Sequence, residues 1–432
     1  MSLESRLLTA LIPQRHARAW RIAYSGGLDS CVLLHLLARL TRAQPLPPIS
    51  AIHVHHGLQS GADAWADHCR ETCRALGVPL EVARVRVAAS ASLENAAREA
   101  RYAAFETRLG DGEVLLTAQH RDDQAETLLF RLLRGAGLKG LAAMSPTRAL
   151  GRGLLLRPLL GVGRGELEAW ARAEGLSWVE DPSNASLDYS RNYLRHQIIP
   201  AFEQRWPAAV PAIARAAGHL AEAQGLLDEL AELDLASAAT PSPFAWLELP
   251  SLALEPLRAL SDARQRNALR QWLRPHVQLP DADHWAGWCD LRDAAADAAP
   301  VWRLDQAELR RAGERLWLLD GAWLKTPPEP SVSNLHGEIE LVGNGRVRIT
   351  GAGGDALRLG YRQGGEWLQL AGRGRRDLKR VLNERGIPGF VRPRLPLLLR
   401  RNEVVAVANL GDLTGSGIFL DWSPPTGDGR LS

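Results

Sequence analysis

Short apolar runs alternate with amphipathic stretches along the first half of the chain. The apolar runs have the length of strands. Between them, apolar residues recur at helical spacing, most clearly over 32–40 and 96–109. Strands that alternate with helices indicate an α/β domain with a doubly wound parallel sheet. The predicted strands are Arg21–Tyr24, Ile49–His55, Leu80–Val87, Val114–Ala118 and Leu154–Pro158.

A helical pattern takes over after about Pro207. An alanine- and leucine-rich stretch runs to Leu235, is interrupted by proline-rich punctuation at 240–250, and resumes around 254–273. Helical periodicity without alternating strands indicates a small helical domain. We therefore expect this part of the chain to follow the α/β sheet as a separate, helical unit.

The last hundred residues have a mixed pattern. The segment 326–331, Thr-Pro-Pro-Glu-Pro-Ser, has the composition of a linker. Beyond it, glycine-rich turns and apolar runs such as 403–408 indicate a small α+β module. Together these patterns predict three domains, over residues 1–215, 216–325 and 330–432.

Charge is unevenly distributed. The net charge is only +3, but the segment Arg358–Arg401 holds twelve Lys or Arg against three Asp or Glu. A basic end on a mildly acidic body is typical of an appendage that binds a polyanion. A solvated, arginine-rich surface would give the same count, so charge alone leaves both interpretations open.

Neither a signal peptide nor a membrane span is predicted. The first twenty residues lack the apolar core of a signal peptide, and no run of about eighteen apolar residues occurs. The four cysteines include no Cys-x-x-Cys pair. The helical spacing of Cys69 and Cys73 favours buried packing over a disulfide or a metal site. These features predict a cytoplasmic protein.

The strongest chemical signal lies between the first predicted strand and the first helix, where residues 25–30 read Ser-Gly-Gly-Leu-Asp-Ser. Two glycines allow a tight turn close to a ligand, and the N terminus of the following helix attracts phosphate. We expect backbone N–H groups and hydroxyls to hold pyrophosphate while Asp29 meets a bridging Mg²⁺. The predicted nucleotide-binding residues are Ser25, Gly26, Gly27, Leu28, Asp29 and Ser30.

Other phosphate motifs do not account for this loop. A Walker A loop requires a Gly-Lys dipeptide, which the chain lacks, and the first strand–helix turn has no dinucleotide fingerprint. An ordinary turn with Asp29 as a helix cap is the structural alternative. The hexapeptide resembles the signature of the ATP-pyrophosphatase superfamily, which cleaves ATP to AMP and pyrophosphate.

A second cluster follows the fourth predicted strand, where Thr117–Thr127 opens a helix. Spacings of three and four residues place its carboxylates on roughly one helix face. The cluster also lies at the carboxyl end of a strand, where open α/β sheets bind ligands. The helix dipole alone also favours acidic residues in a first turn, so both interpretations stay open. The candidate catalytic residues are Asp29, His120, Asp122, Asp123 and Glu126.

Taken in order with the segments 53–58, 94–102, 180–184 and 191–195, these motifs resemble the tRNA(Ile)-lysidine synthase family over residues 20–206. The resemblance continues more weakly through Leu378-Lys379 and 392–396. The family usually has Pro-Trp shortly before this last arginine motif, whereas this chain has Gly389-Phe390. The departure concerns the C-terminal contact residues and not the chemistry.

The resemblance implies a two-step reaction on an isoleucine tRNA with a CAU anticodon. ATP, with Mg²⁺, adenylates O2 of the wobble cytidine, and free L-lysine then displaces AMP at C2 to form lysidine. The resemblance also implies that the acidic cluster binds and deprotonates lysine, with His120 as a shuttle; which carboxylate is the base stays open. The substrate-binding residues it implies are Arg98, Arg101, Arg191, Arg195, Arg375, Arg376 and Lys379.

Rival functions fit the residues less well. A tRNA thiolase with the same ATP loop is the main alternative, but such enzymes use cysteine pairs, and no Cys-x-x-Cys occurs. An amidotransferase relative would often carry a glutaminase segment, which is not apparent. A non-catalytic RNA-binding protein would need neither the intact loop nor the acidic cluster.

Overall fold

The computed structural model contains two compact units, Met1–Gly225 and Leu226–Ser432, and the helix Ala209–Ala238 contains their boundary. Among the described residues, no helix is both long and apolar enough to cross a membrane. Leu58 and Ser331, each at the end of a motif noted above, lie outside the residues that the structure describes. The structure describes residues 1–57, 61–87, 93–279, 283–295, 298–330, 335, 337–351 and 357–426.

In the described part of the first unit, six strands form one sheet. They are β1 Ala19–Ala23, β2 Ile49–His55, β3 Leu80–Arg84, β4 Glu113–Leu116, β5 Thr147–Leu150 and β6 Gly153–Leu156. Their order is β3-β2-β1-β4-β6-β5, and every pair is parallel except β5 with β6. The predicted doubly wound parallel sheet is confirmed. The antiparallel edge strand β5 was not predicted, because it is short and mostly exposed.

Helix α2 forms the centre of the main core of this unit. Its apolar stripe, including Val32, Leu33 and Leu36, packs with Trp20 and Ile22 of β1. A π-helical turn, Leu194–Ile198, joins α8 to α9. The helices are α1 Leu3–Leu11, α2 Leu28–Ala43, α3 Ala62–Leu76, α4 Leu93–Glu106, α5 Arg121–Leu132, α6 Leu138–Leu141, α7 Arg164–Ala173, α8 Ser190–Tyr193, α9 Ile199–Arg205 and α10 Ala209–Ala238.

The strand order determines where a ligand can bind. From β1 the chain moves outward to β2 and β3, then crosses back to β4 on the other side of β1. Such a reversal opens a crevice at the carboxyl ends of the two central strands. Because β1 and β4 are parallel neighbours, the loop that precedes α2 and the loop that precedes α5 lie side by side at this edge.

The described residues of the second unit form four helices and twelve strands. The helices are α11 Leu254–Arg258, α12 Asp262–Leu273, α13 Ala286–Asp293 and α14 Leu378–Glu384. The strands are β7 Ser251–Ala253, β8 Val301–Arg303, β9 Ala307–Ala312, β10 Arg315–Asp320, β11 Gly337–Glu340, β12 Arg346–Thr350, β13 Arg358–Gly360, β14 Trp367–Leu370, β15 Gly374–Asp377, β16 Leu397–Arg400, β17 Glu403–Val407 and β18 Phe419–Ser423. They pair as β7-β10-β9-β8, β11-β12-β18 and β13-β16-β17-β14-β15.

The stretch 216–325, predicted as helical, also contains the first of these sheets. Its helices and strands pack around one core, which includes Leu269, Trp288 and Leu309. Two of the strands, β7 and β8, have only three residues each, which is too short for a periodic pattern to reveal. Beyond residue 330, α14 and the last eight strands form a module of the predicted α+β type.

Candidate active site at the carboxyl edge of the sheet

The loop between β1 and α2 is a compact turn held by its own hydroxyls. Gly26 has a φ of +85°, a conformation that side chains disfavour, and a Cβ there would lie 3.0 Å from Sγ of Cys69. Ser25 Oγ and Ser30 Oγ lie 3.0 Å apart, and Ser30 Oγ donates to the carbonyl of Gly27 at 3.0 Å. Gly27 caps α2 without placing a side chain over its N terminus, so the loop suits a phosphate.

Asp29 lies in the first turn of α2 and faces the loop before α5. Its Oδ2 lies 3.5 Å from Nε2 of His120, whereas its Oδ1 is buried and has no hydrogen-bond partner among the residues that the structure describes. A buried carboxylate oxygen without a partner is costly, and a bound cation would satisfy it. Nucleotide-processing sites often hold magnesium with one or two carboxylates plus the substrate's phosphates. The geometry of Asp29 fits this pattern.

His120 immediately precedes α5 and is buried among three carboxylates. Its Nε2 lies 3.5 Å from both Asp29 and Asp123, and its Nδ1 lies 3.6 Å from Asp122. Burial alone lowers the pKa of His120, but the nearby carboxylates of Asp122, Asp29 and Asp123 outweigh it and raise the pKa to about 10. The surrounding carboxylates therefore favour the charged imidazole, which joins the two loops electrostatically.

The three carboxylates of α5 have different partners. Asp123 accepts hydrogen bonds from the backbone N–H of His120 at 3.0 Å and from Arg195 at 3.1 Å. Glu126 is 1% exposed and accepts two hydrogen bonds from Arg195, at 2.6 and 3.1 Å. Asp122 instead accepts one from the first backbone N–H of α7, at 2.9 Å. Thus Asp123 and Glu126 share one arginine, while Asp122 contacts α7.

Burial and pairing compete at these carboxylates. Burial raises the pKa of Glu126, and Arg195 opposes the rise only in part. Burial also acts to raise the pKa of Asp122, but the nearby His120 imidazole and a hydrogen bond from the α7 backbone leave it lowered. Glu126 therefore takes up a proton more readily than Asp122. Arg195 lies on the π-helical turn, an irregularity that is frequent at functional sites.

The other predicted substrate-binding arginines of the first unit lie on α4 and α8. The guanidinium of Arg98 lies 4.9 Å from the ring centroid of Tyr102, and Arg101, one turn later, is exposed. Arg191 donates to Oγ1 of Thr127 at 3.1 Å. Since Thr127 follows Glu126 on α5, Arg191 and Arg195 both tie the α8–α9 segment to the acidic helix.

The remaining predicted contacts belong to the second unit. Arg375, Arg376 and Lys379 are exposed on β15 and α14, and the guanidinium of Arg375 lies 4.1 Å from the ring centroid of Trp367. The arginine motif at 392–396 has a different environment: Arg394 is 3% exposed and donates to backbone carbonyls. That motif stabilises the fold of this unit.

Two arginines near the acidic helix, Arg148 and Arg157, were not singled out from the sequence. The guanidinium of Arg148 lies 4.8 Å from the ring centroid of Tyr102, and the charge of Arg157 helps to lower the pKa of the same side chain against the effect of burial. Arg157 follows β6 directly, so its position at a strand end was a usable signal. Arg148 lies on the edge strand β5, which left no recognisable pattern.

The parallel sheet and the phosphate loop at its carboxyl edge define a PP-loop nucleotide-binding protein. Residues 2–202 match the PP-loop domain family. Residues 252–317 match the TilS substrate binding domain, and residues 357–414 match the TilS substrate C-terminal domain.

Relatives extend the match to the full chain. A tRNA(Ile)-lysidine synthase of Pseudomonas fluorescens (strain Pf0-1) is 58% identical over 436 residues, covering 100% of this chain and 99% of the relative. The tRNA(Ile)-lysidine synthase of Escherichia coli O157:H7 is 39% identical, covering 97% and 96%. The chain therefore belongs to the tRNA(Ile)-lysidine synthase family and is an ATP-using ligase that modifies tRNA.

A solved structure shows a more distant likeness. The U34-tRNA thiolase NcsA from Methanococcus maripaludis, with its 4Fe-4S cluster, covers 51% of this chain and 77% of its own, at 18% identity and a TM-score of 0.42. A likeness of this size does not bear on function.

Proposed function

We propose that this enzyme joins the ε-amine of free L-lysine to C2 of the wobble cytidine in the CAU anticodon of an isoleucine tRNA. The supporting observation is that a phosphate loop and a buried acidic network meet at one edge of the sheet, in a chain that matches tRNA(Ile)-lysidine synthases along its whole length. ATP first transfers AMP to O2 of the cytosine, and pyrophosphate leaves. The lysine nitrogen then bonds to C2 as AMP departs with O2.

The loop after β1 is the proposed site of the departing pyrophosphate. Its hydroxyls and the N terminus of α2 are neutral donors that are already held in place, so they stabilise developing charge without reorganisation. When bound, Mg²⁺ supplies further positive charge to the leaving group. Asp29 would hold this ion through its partnerless Oδ1.

The acidic network is the proposed lysine site. With a pKa of about 10.4, only roughly one part in 2,500 of free lysine is unprotonated at neutral pH, a barrier of about 5 kcal/mol. A carboxylate that accepts the ammonium proton lowers this barrier. Among Asp122, Asp123 and Glu126, the raised pKa of Glu126 favours proton acceptance. The raised pKa of His120 favours a fixed positive charge over the shuttle expected from the resemblance.

The remaining predicted contacts are proposed to hold the tRNA. Specific recognition of RNA usually targets unstacked loop bases, so the cytidine must leave its stack to reach the site. Arg98, Arg101 and Arg191 would contact substrate next to the acidic helix. Arg375, Arg376 and Lys379 would contact the tRNA backbone through the second unit.

The three-domain division and the cytoplasmic location also remain proposals. Each family match falls inside one predicted domain, over 1–215, 216–325 and 330–432. A tRNA substrate agrees with a cytoplasmic enzyme, since tRNA is modified where it is made and used.

Thiol chemistry is disfavoured in the first unit. Cys31, Cys69 and Cys73 are buried, and burial raises their pKa values to about 11, 12 and 11. Thiols in this state are weak nucleophiles at neutral pH. The cysteines of this unit therefore lend no support to a thiolase.

Incorporation of radiolabelled lysine into purified tRNAs, with ATP and Mg²⁺, tests the proposal. We expect label in the CAU-anticodon isoleucine tRNA and none in the elongator methionine tRNA, which has the same anticodon. AMP release that requires tRNA but leaves no lysine on it would refute lysine as the second substrate. Equal labelling of both tRNAs would refute the proposed specificity.

A further inference from the structure

Five arginines of the first unit form a cluster without acidic salt-bridge partners. Among the described residues, no carboxylate forms a salt bridge with any of them, whereas Arg21, Arg39 and Arg108 of the same unit each pair with a glutamate. The members, here called the arginine cluster, are Arg98, Arg131, Arg148, Arg157 and Arg191.

Tyr102 is the centre of one half of this cluster. The guanidinium groups of Arg98 and Arg148 lie 4.9 and 4.8 Å from its ring centroid. Against the effect of burial, the charges of Arg98, Arg157 and Arg148 lower the pKa of Tyr102. Arg157 is only 6% exposed. It donates to the carbonyl of Ser145 at 2.6 Å, yet its buried Nε has no hydrogen-bond partner in the described part of the chain.

The other half lies against α5. Arg131 donates to the carbonyls of Gly140 and Ala143, at 2.9 and 2.7 Å, and Arg191 donates to the hydroxyl of Thr127. These partners are neutral, so they satisfy N–H groups without cancelling charge. The cluster is not wholly isolated from acids, because Arg191 is near enough to Glu126 to act on its pKa.

The guanidinium groups repel one another. Burial first, then the charges of Arg191 and Arg98, lowers the pKa of Arg131. Burial, then the charges of Arg148 and Arg98, also lowers the pKa of Arg157, against an opposing effect of Tyr102. Several like charges held together in a partly buried place are unfavourable unless an anion joins them.

The cluster opens at the same edge of the sheet as the active site. Arg157 follows the carboxyl end of β6, which runs parallel to β4. Arg148 lies at the start of antiparallel β5, opposite Leu155 of β6. Arg191 reaches Thr127, the residue after Glu126. A ligand in the crevice can therefore contact the acidic network and the arginine cluster together.

We propose that the arginine cluster, centred on Arg131, Arg148 and Arg157, binds a phosphate group of the RNA chain next to the reacting cytidine. Guanidinium groups bind phosphate oxygens in a bidentate manner. The loop at 25–30 already provides for pyrophosphate, and exposed Arg148 is open to a large ligand. The choice of RNA over ATP as the phosphate source rests on the proposed tRNA-modifying function. The existence of an anion site at the arginine cluster does not depend on that function.

Binding measurements on Arg148→Gln and Arg131→Gln test this site. We expect each variant to bind tRNA about tenfold more weakly. The slope of log Kd against log salt should fall by about 0.7 for each lost phosphate contact. The matched control is Arg152→Gln in the turn of the same hairpin, because Arg152 is exposed and pairs with Asp111 at 3.5 Å; it should bind tRNA as the wild type does.

ATP affinity, measured directly on the same proteins, separates the two phosphate sources. If it falls tenfold while tRNA binding is unchanged, the cluster is a phosphate site for the nucleotide and the RNA assignment is overturned. If neither affinity changes, or if Arg152→Gln behaves like Arg148→Gln, no phosphate site exists there. Because these assays need neither lysine nor turnover, they remain decisive even if the lysine reaction is refuted.

Discussion

The two loops that meet at the active site are formed by different kinds of polar groups. The loop after β1 uses glycine backbone and paired hydroxyls, and its polar side chains bond within the loop. The loop and helix after β4 use buried charges, and their partners come from distant segments, as in the bond of Arg195 to Glu126. The first suits a leaving group that needs fixed donors. The second suits a substrate whose proton must move.

His120 lies between the loop after β1 and the loop after β4. It lies 3.5 Å from Asp29 on one side and from Asp123 on the other. Its positive charge offsets the repulsion that these carboxylates would otherwise exert on each other. The loop that carries Asp29 can therefore lie beside an acidic network without either losing its geometry.

Removing the carboxylate proposed to bind Mg²⁺ should have the largest effect on activity. We expect Asp29→Asn to lower the rate of tRNA-dependent AMP release about a thousandfold, because the leaving pyrophosphate loses the charge of Mg²⁺. Asp67→Asn is the control, since Asp67 is an exposed aspartate on α3 that pairs with Arg70. A variant that retains a tenth of wild-type activity would exclude Asp29 as the metal ligand.

Removing the arginine partner of the acidic network should lower stability as well as activity. Arg195→Ala leaves Glu126 buried without its partner, so we expect the free energy of unfolding to fall by about 3 kcal/mol. Arg191→Ala loses a hydrogen bond to Thr127 and should cost about 1 kcal/mol. Urea denaturation of both variants measures the difference, and equal losses would show that the acidic network is not held by Arg195.

The glycine turn of the loop after β1 should be sensitive to shape. Gly26→Ala forces a side chain into a left-handed conformation, which costs about 1–2 kcal/mol, and we expect the KM for ATP to rise about tenfold. Adding Cys69→Ala relieves the contact with sulfur but not the backbone conformation, so it should restore affinity only in part. Gly161→Ala, where a Cβ meets nothing within 4 Å, is the control. Full rescue by Cys69→Ala would attribute the defect to crowding alone.

The smallest effect is expected on the surface of the second unit. The double variant Arg375→Ala with Arg376→Ala should weaken tRNA binding about fivefold, with a reduced dependence on salt. Arg346→Ala with Arg348→Ala is the matched control, because both arginines lie near Glu338. Unchanged affinity and salt slope in the first pair would mean that this basic face is solvated surface.

The same contrast explains how much could be predicted from the sequence. The loop at 25–30 and helix α2 are local structures, so a hexapeptide and an apolar stripe were enough to predict both. The pairing of Arg195 with Glu126 joins residues 69 positions apart, and only the resemblance to a family pointed to Arg195. Nothing local marked Arg148, because β5 depends on its pairing with β6. The strands β7 and β8 were missed because three residues are too few to show a periodic pattern.

We assign adenylation to the loop after β1 and lysine transfer to the acidic helix. This division is tested most directly by following both steps with one labelled nucleotide. We would incubate tRNA with ATP labelled in the α-phosphate, first without lysine and then with it, and compare Asp29→Asn with Glu126→Gln. We expect Glu126→Gln to accumulate adenylated tRNA and to convert it slowly when lysine is added, while Asp29→Asn forms none. Failure of a folded Glu126→Gln protein to adenylate tRNA, or normal adenylation by Asp29→Asn, would contradict this division.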